Sequence, residues 1–141
     1  MALDLTGSFV TLASLKLDIL VEFYTHLLGF PPILYLPNRY AEFQLPGLCL
    51  GIFQPPLNQA AEWMAPSSGG MSLCLEVDHL EQAMAAVEAA YVALSIAPGD
   101  RPILGKVMAP SHGREVYAYD LDGNRLILHE KKPSSASAPS E

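Results

Sequence analysis

The sequence Glu115-Val-Tyr-Ala-Tyr-Asp-Leu-Asp-Gly-Asn-Arg-Leu-Ile-Leu-His-Glu130 predicts two β-strands joined by a tight turn. The turn falls on Asp122-Gly123-Asn124, because glycine and asparagine tolerate the positive φ angles at which two strands reverse. Side chains alternate with a period of two, which gives the hairpin one apolar face and one polar, aromatic face. The apolar face holds Val116, Ala118, Leu126 and Leu128, and the other holds Glu115, Tyr117, Tyr119, Arg125, Ile127 and His129. The second face lines a cavity if the strands curl, and is the exposed side of a half-buried hairpin if they do not.

The composition indicates a folded protein that does not bind nucleic acid or anionic membranes. Half of the 141 residues are apolar and 16% are charged, which is typical of one globular domain or two half-domains that share a core. The net charge of −7 disfavours partners that are recognised through Lys/Arg patches. Cys49 and Cys74 lie in apolar runs, which predicts buried free thiols. Since the chain starts without a basic leader and has no apolar run of ~20 residues, we expect a cytoplasmic protein.

The first half of the chain predicts the element order β-α-β-β-β. A strand over 8–13 precedes a helix over 18–28, in which apolar residues recur at helical spacing and Asp18 caps or favours the N-terminus. Gly29 ends this helix, and Pro31-Pro32 forbids its continuation. Three strands follow, over 33–36, 39–45 and 48–53, and turn residues separate them.

The second half predicts the same order after a Pro/Ser/Gly-rich linker. A strand over 71–77 leads to a helix that begins with capping-box spacing at Asp78 and Glu81 and runs to about residue 90. Strands over 92–96 and 103–108 and the hairpin complete the half. We therefore predict an N-terminal lead (1–7), a first module (8–55), a linker (56–70), a second module (71–131) and a disordered tail (132–141).

With these motifs the sequence resembles the vicinal oxygen chelate superfamily, which contains glyoxalase I, extradiol dioxygenases, fosfomycin-resistance enzymes and bleomycin-binding proteins. The resemblance rests on six segments: Phe9-Val-Thr-Leu, Glu22-Phe-Tyr, Leu27-Leu-Gly-Phe30, Leu75-Glu-Val-Asp78, Tyr117-Ala-Tyr-Asp120 and Asp122-Gly-Asn-Arg-Leu-Ile-Leu-His-Glu130. It implies an α+β fold in which two βαβββ modules, each backed by one helix, form a curled mixed sheet with a concave cavity. It also implies a homodimer.

When the positions of the family's metal ligands are transferred to this sequence one by one, they lack the histidines and carboxylates of the family. The two histidine positions fall on Phe9 and Ser72, the last carboxylate position falls on Ile127, and the first module offers Cys49 and Gly51 for the other carboxylate. Phenylalanine and isoleucine cannot ligate a divalent cation, and serine is a poor ligand. The resemblance therefore implies a chain without a metal or other cofactor. A relocated metal site at His129, Glu76 and Glu115 is the alternative, and His112 lies in the loop before the hairpin.

Two functions from different classes remain open. The first is a binding module, with no catalytic residues, that holds a small, partly aromatic or apolar molecule in the cavity. Its lining would be Phe9, Thr11, Cys74, Glu76, Tyr117, Tyr119, Arg125 and His129. The second is a metal-dependent lyase or dioxygenase that uses a relocated metal or acid–base catalysis by Glu76 or His129. A degenerate fold that serves only protein interaction is a third possibility.

Overall fold

The computed structural model describes residues 2–63, 69–97, 99, 102–109 and 111–131. The chain divides into two compact units, Met1–Met64 and Ala65–Glu141, and the division falls within the predicted linker. Part of that linker forms a 3₁₀ helix, Leu57–Trp63. The predicted disordered tail over 132–141 lies outside the described residues. In the described part of the chain, no helix is both long and apolar enough to cross a membrane.

The first module has the predicted element order. It consists of β1 (Val10–Ala13), α1 (Leu17–Leu28), β2 (Leu34–Leu36), β3 (Tyr40–Leu45) and β4 (Leu48–Phe53). The strands form a mixed sheet in the order β1-β4-β3-β2, in which β1 and β4 run parallel and the other pairs are antiparallel. The parallel pairing follows from the helix between β1 and the later strands, because a crossover returns the chain in the same direction.

Helix α1 packs one apolar stripe on this sheet and ends as predicted. The hydrophobic core of the first module consists of Leu17, Leu20, Val21, Phe23, Tyr24, Ala41, Phe43, Leu45, Leu50 and Ile52. Gly29 has φ 86° and donates its backbone N–H to the Thr25 carbonyl. This left-handed conformation commonly ends helices at a glycine, which adopts it without strain. Asp18 lies in the first turn, and its Oδ1 accepts hydrogen bonds from Tyr35 Oη at 2.7 Å and from the Asn38 backbone at 3.0 Å. Asp18 therefore joins the helix to the β2–β3 turn.

The second module contains β5 (Leu73–Glu76), α2 (Leu80–Ala93), β6 (Gly113–Tyr119) and β7 (Arg125–Lys131). Its sheet has the order β5-β7-β6, with β5 parallel to β7 and β6 antiparallel to β7. The predicted strand over 103–108 is reduced to two isolated pairs, Leu104 with Ala118 and Met108 with Glu115. With one helix and one mixed sheet in each unit, the predicted α+β class is confirmed.

The predicted strand over 92–96 is wrong, because helix α2 continues through Ala93 and ends in a turn at Leu94 and Ser95. Tyr91 is buried and donates its hydroxyl to the Tyr119 carbonyl at 2.6 Å, which anchors this part of the helix to β6. A short apolar run fits a buried strand and a helix end equally well, and here the tertiary contact decides for the helix.

The N-terminus of α2 is capped from another strand and not by the predicted capping box. The N-cap residue is His79, and its side chain makes no capping hydrogen bond to the described residues. The backbone N–H of Leu80 donates instead to Glu130 Oε2 at 2.9 Å, so a carboxylate from β7 lies at the positive end of the helix. Arg114 contacts Glu130 and Glu81 at 2.9 and 2.7 Å and lowers the pKa of both carboxyls, that of Glu81 to about 2.

The β6–β7 hairpin has the predicted strands, apolar face and turn. Val116, Ala118, Leu126 and Leu128 are all buried. Gly123 in the turn has φ 86°. A residue with no predicted structural role, Asp120, organises this turn: it is 1% exposed, and its carboxylate accepts hydrogen bonds from the backbone N–H groups of Asp122 and Asn124, both at 2.9 Å. The turn is therefore held by a buried charged group as well as by glycine.

Candidate functional site

The polar face of the second sheet brings six of the eight predicted site residues together. Opposite residues on β5, β7 and β6 form rows across the sheet, and side chains in one row point to the same side. One row is Cys74, Ile127 and Tyr117, the next is Glu76, His129 and Glu115, and Arg125 lies opposite Tyr119. We call these eight residues the β7 face. The face lies opposite the buried side of the hairpin, and five of its members, Glu115, Tyr117, Tyr119, Arg125 and Ile127, are half-buried.

His129 is the buried centre of the β7 face. It is 7% exposed, and its Nδ1 lies 2.7 Å from Glu76 Oε1. This hydrogen bond raises the pKa of His129; burial opposes the rise, and the charges of Glu76 and Glu115 and the backbone of His112 add to it. The other ring nitrogen, Nε2, is buried and has no hydrogen-bond partner among the described residues. A buried imidazole is thus fixed by a carboxylate on one side and leaves an unsatisfied nitrogen on the other.

His112 joins this centre, although its place in the sequence predicted only a loop. Its ring lies 4.8 Å from the ring of His129 between centroids, and its Nε2 lies 3.4 Å from Glu115 Oε1. One ligand atom from each of His112, Glu115 and His129 lies within 4.8 Å of the other two. One feature of the sequence could have predicted this contact. His112 and Glu115 are three residues apart at the start of β6, and β6 pairs with β7, the strand that carries His129.

Arg125 contacts the segment that leads into β5. Its Nε donates to Ser72 Oγ at 2.6 Å, and its terminal nitrogen donates to the carbonyls of Gly69 at 2.9 Å and Met71 at 3.4 Å. The guanidinium therefore joins β7 to the residues before β5. Ser72, one of the four family ligand positions, accepts this hydrogen bond.

Phe9 and Thr11, the other two predicted site residues, belong to the first module. Phe9 is 54% exposed and lies just before β1, whereas Thr11 faces Gly51 and, beyond it, Glu42 across the sheet. The Tyr40 hydroxyl donates to Glu42 Oε2 at 3.1 Å and covers Gly51, where a Cβ would lie 2.8 Å from the hydroxyl oxygen. A shallow pocket of about 410 Å³ lies beside Phe9 and is lined by Ser8, Phe9, Val10, Gln44, Gly47, Leu48 and Cys49.

The two thiols are less buried than the sequence predicted. Cys74 is exposed and Cys49 is half-buried, because both lie on the faces of their sheets that turn away from the packed helix. Partial burial raises the pKa of Cys49, and a hydrogen bond to Glu42 and the Glu42 charge add to the rise. Partial burial also raises the pKa of Cys74, with smaller contributions from the charges of Glu76 and Glu115.

We expect both thiols to react with iodoacetamide at pH 8 more slowly in the folded protein than in the urea-unfolded protein, because the thiolate is the nucleophile and a raised pKa reduces its population. The substitution Glu42→Gln removes the charge beside Cys49 and should raise the alkylation rate of Cys49 about threefold. Mass spectrometry of the two peptides measures both rates in one sample, with Cys74 as the internal control. An unchanged rate at Cys49 in this variant would contradict the electrostatic explanation.

The fold defines a class of protein: two α+β modules, each with one helix and one mixed sheet. A family model described as "Glyoxalase/Bleomycin resistance protein/Dioxygenase superfamily" matches residues 10–128. The chain belongs to this superfamily. No curated protein matches the sequence significantly.

Solved structures support the same fold. A glyoxalase-related enzyme from Fulvimarina pelagi is similar at 23% identity and a TM-score of 0.64, with 90% of this chain and 89% of that chain covered. A bleomycin-binding protein complexed with bleomycin is 20% identical with a TM-score of 0.62, over 91% and 100% of the two chains. A mutant of the fosfomycin resistance protein FosX from Listeria monocytogenes, complexed with Mn(II) and 1S,2S-dihydroxypropylphosphonic acid, is 15% identical with a TM-score of 0.65, over 95% and 97%. These similarities establish the architecture and not the activity.

Proposed function

We propose that this protein binds a small organic molecule with an aromatic or apolar body, and that the β7 face of the second module is the surface that holds it. The observation that carries the proposal is the half-buried group of Tyr117, Tyr119 and Ile127 beside the His129–Glu76 pair. Aromatic rings give a planar ligand a large contact area, and a few polar groups among them fix its orientation. The structurally similar bleomycin-binding protein is consistent with a binding role.

Small-molecule binding is favoured over the metal-dependent chemistry of the family because the residues at the family's ligand positions do not suit a metal. Phe9 and Ile127 have no donor atom, and Ser72 Oγ accepts a hydrogen bond from Arg125. In the first module, Gly51 has no side chain and the Cys49 thiol has a raised pKa, which disfavours the thiolate that a metal requires. We therefore propose that the chain lacks the usual metal site. We also propose that it acts in the cytoplasm as a homodimer.

An aromatic anionic probe, 1-anilinonaphthalene-8-sulfonate, tests the binding surface. We expect the native protein to bind it, and the substitution Tyr117→Ala to weaken binding about two- to tenfold, because one stacking ring contributes roughly 0.5–1.5 kcal/mol beyond its buried area. Fluorescence titration gives the dissociation constant, and native mass spectrometry of the untagged protein identifies any organic molecule that copurifies.

Two matched variants make this experiment decisive. Tyr117→Phe keeps the ring and should bind the probe as the native protein does, and Tyr35→Ala removes an exposed tyrosine of the first module and should also leave binding unchanged. Circular dichroism confirms that each variant is folded. If Tyr35→Ala weakens binding as much as Tyr117→Ala, or if the native protein does not bind the probe, the β7 face is not the ligand surface.

A further inference from the structure

We propose that His112, Glu115 and His129 bind one divalent transition-metal ion, and that Glu76 holds His129 in position for it. The proposal does not depend on whether the β7 face also binds an organic molecule. It departs from the expectation, drawn from the sequence, that the chain binds no metal. It also differs from the alternative set of His129, Glu76 and Glu115, because His112 is a ligand here and Glu76 supports one.

The unsatisfied nitrogen of His129 is the first observation. His129 is 7% exposed, and its Nε2 has no hydrogen-bond partner among the residues that the structure describes. The opposite nitrogen, Nδ1, is hydrogen-bonded to Glu76 at 2.7 Å. A carboxylate on one imidazole nitrogen fixes the ring and makes the other nitrogen a better ligand, and metal-binding histidines almost always donate their other ring N–H to a carboxylate, a backbone carbonyl or water. A metal ion would therefore give a ligand bond to a buried atom that has the His112 backbone near it but makes no hydrogen bond with the described residues.

The geometry of the other two ligands is the second observation, and it is independent of the first. His112 Nε2 and Glu115 Oε1 are 3.4 Å apart. A tetrahedral ion with bonds of about 2.1 Å separates its ligands by about 3.4 Å, so this pair already has the spacing of a chelate. One ligand atom from each of the three residues lies within 4.8 Å of the others. His112 is 60% exposed, so a rotation of its ring can bring its nitrogen nearer to His129.

The residue after His112 carries no side chain that could cover His129 Nε2. Residue 113 directly follows His112 as the first residue of β6, and it is a glycine with φ 143°. A Cβ at this position would lie 3.1 Å from His129 Nε2 and would clash with the Glu130 carbonyl. Glycine therefore keeps a side chain away from the one ring nitrogen that lacks a partner.

The donor set selects the class of metal. Two imidazoles and one carboxylate suit Zn²⁺ and its first-row neighbours, whereas Mg²⁺ and Ca²⁺ prefer sites built from oxygen ligands alone. Three protein ligands leave at least one coordination position for water or another small ligand. The chain thus presents a metal site on His112, β6 and β7, built from residues other than those at the four positions that the superfamily resemblance assigns to metal ligands.

Zinc titration of the untagged native protein tests this site. We expect one Zn²⁺ per chain by calorimetry and by metal analysis after dialysis, and Co²⁺ in place of Zn²⁺ should give visible absorption bands of a protein-bound ion. His112→Ala and Glu115→Gln should each weaken Zn²⁺ binding more than 100-fold. Glu76→Gln should weaken it about 10- to 100-fold, because the supporting carboxylate is lost and the three ligands remain.

His112 is the informative position because its side chain is 60% exposed, whereas His129→Ala removes a buried ring. The control is His26→Ala, which removes an exposed histidine from α1 and should bind Zn²⁺ as the native protein does. Circular dichroism establishes that all variants are folded without metal. The proposal is overturned if the native protein binds less than one Zn²⁺ per chain at micromolar concentrations, or if His112→Ala and His26→Ala bind it equally.

Discussion

The substitution Asp120→Ala is expected to lower the free energy of unfolding of the second module by about 3 kcal/mol, because each hydrogen bond to a buried charged group contributes roughly 1.5–3 kcal/mol. Asp120 is 1% exposed and accepts hydrogen bonds from two backbone N–H groups and, at 2.8 Å, from the Asn124 side-chain amide. Alanine accepts none of these three hydrogen bonds, so the donors can bond only to the water that reaches the half-buried turn. Urea denaturation followed by circular dichroism measures the change.

Two variants separate the hydrogen bonds of Asp120 from a general effect of charge. Asp120→Asn keeps one carbonyl oxygen as an acceptor and should lose about half as much stability as Asp120→Ala. Asp78→Asn removes an exposed carboxylate of the same module and should change stability by less than about 0.5 kcal/mol. A value for Asp120→Ala within about 0.5 kcal/mol of the native protein would show that the carboxylate does not hold the turn.

The second large effect is expected at Gly113, where alanine should destabilise the second module by roughly 2–4 kcal/mol. Gly113 has φ 143°, a backbone conformation that residues with a side chain rarely adopt. Its Cβ would also clash with the carbonyl of Glu130, which is backbone and cannot rotate away. Since Gly113 pairs with Lys131 at the end of the β6–β7 ladder, relief of the clash requires the two strands to separate there.

The matched control for Gly113→Ala is Gly70→Ala. Gly70 lies in the same module, its φ is not positive, and a Cβ there meets no atom within 4 Å. We expect this control to leave the urea midpoint unchanged or slightly raised, because alanine restricts the unfolded chain. Equal stability of the two variants would mean that the strands adjust freely near residue 113. The close contact with the Glu130 carbonyl would then not affect the free energy of unfolding.

The candidate site was predictable in part. Alternation along the hairpin placed Tyr117, Tyr119, Arg125 and His129 on one face, because side chains in a strand point to opposite sides with a period of two. The partners of these side chains were not predictable: Arg125 contacts Ser72 and the residues around it, and His112 packs against His129. Such partners depend on which strands become neighbours and in what register, and no local pattern encodes that.

The sequence by itself determined the α+β class, the order of elements in the first module, and the turns that end α1 and join β6 to β7. These features follow from local chemistry: apolar periodicity, and glycine where the backbone needs a positive φ, as at Gly29 and Gly123.

Only the tertiary structure decided the features that join distant segments. Helix α2 is capped by Glu130, 50 residues beyond Leu80, and it continues into the segment predicted as a strand over 92–96, where Tyr91 is anchored on Tyr119. The cluster of His112, Glu115 and His129 likewise exists because β6 and β7 pair in one register. A capping carboxylate, a buried hydroxyl and a metal ligand all act over a few ångströms, so their partners are set when the sheet assembles and not by the neighbouring residues in the chain.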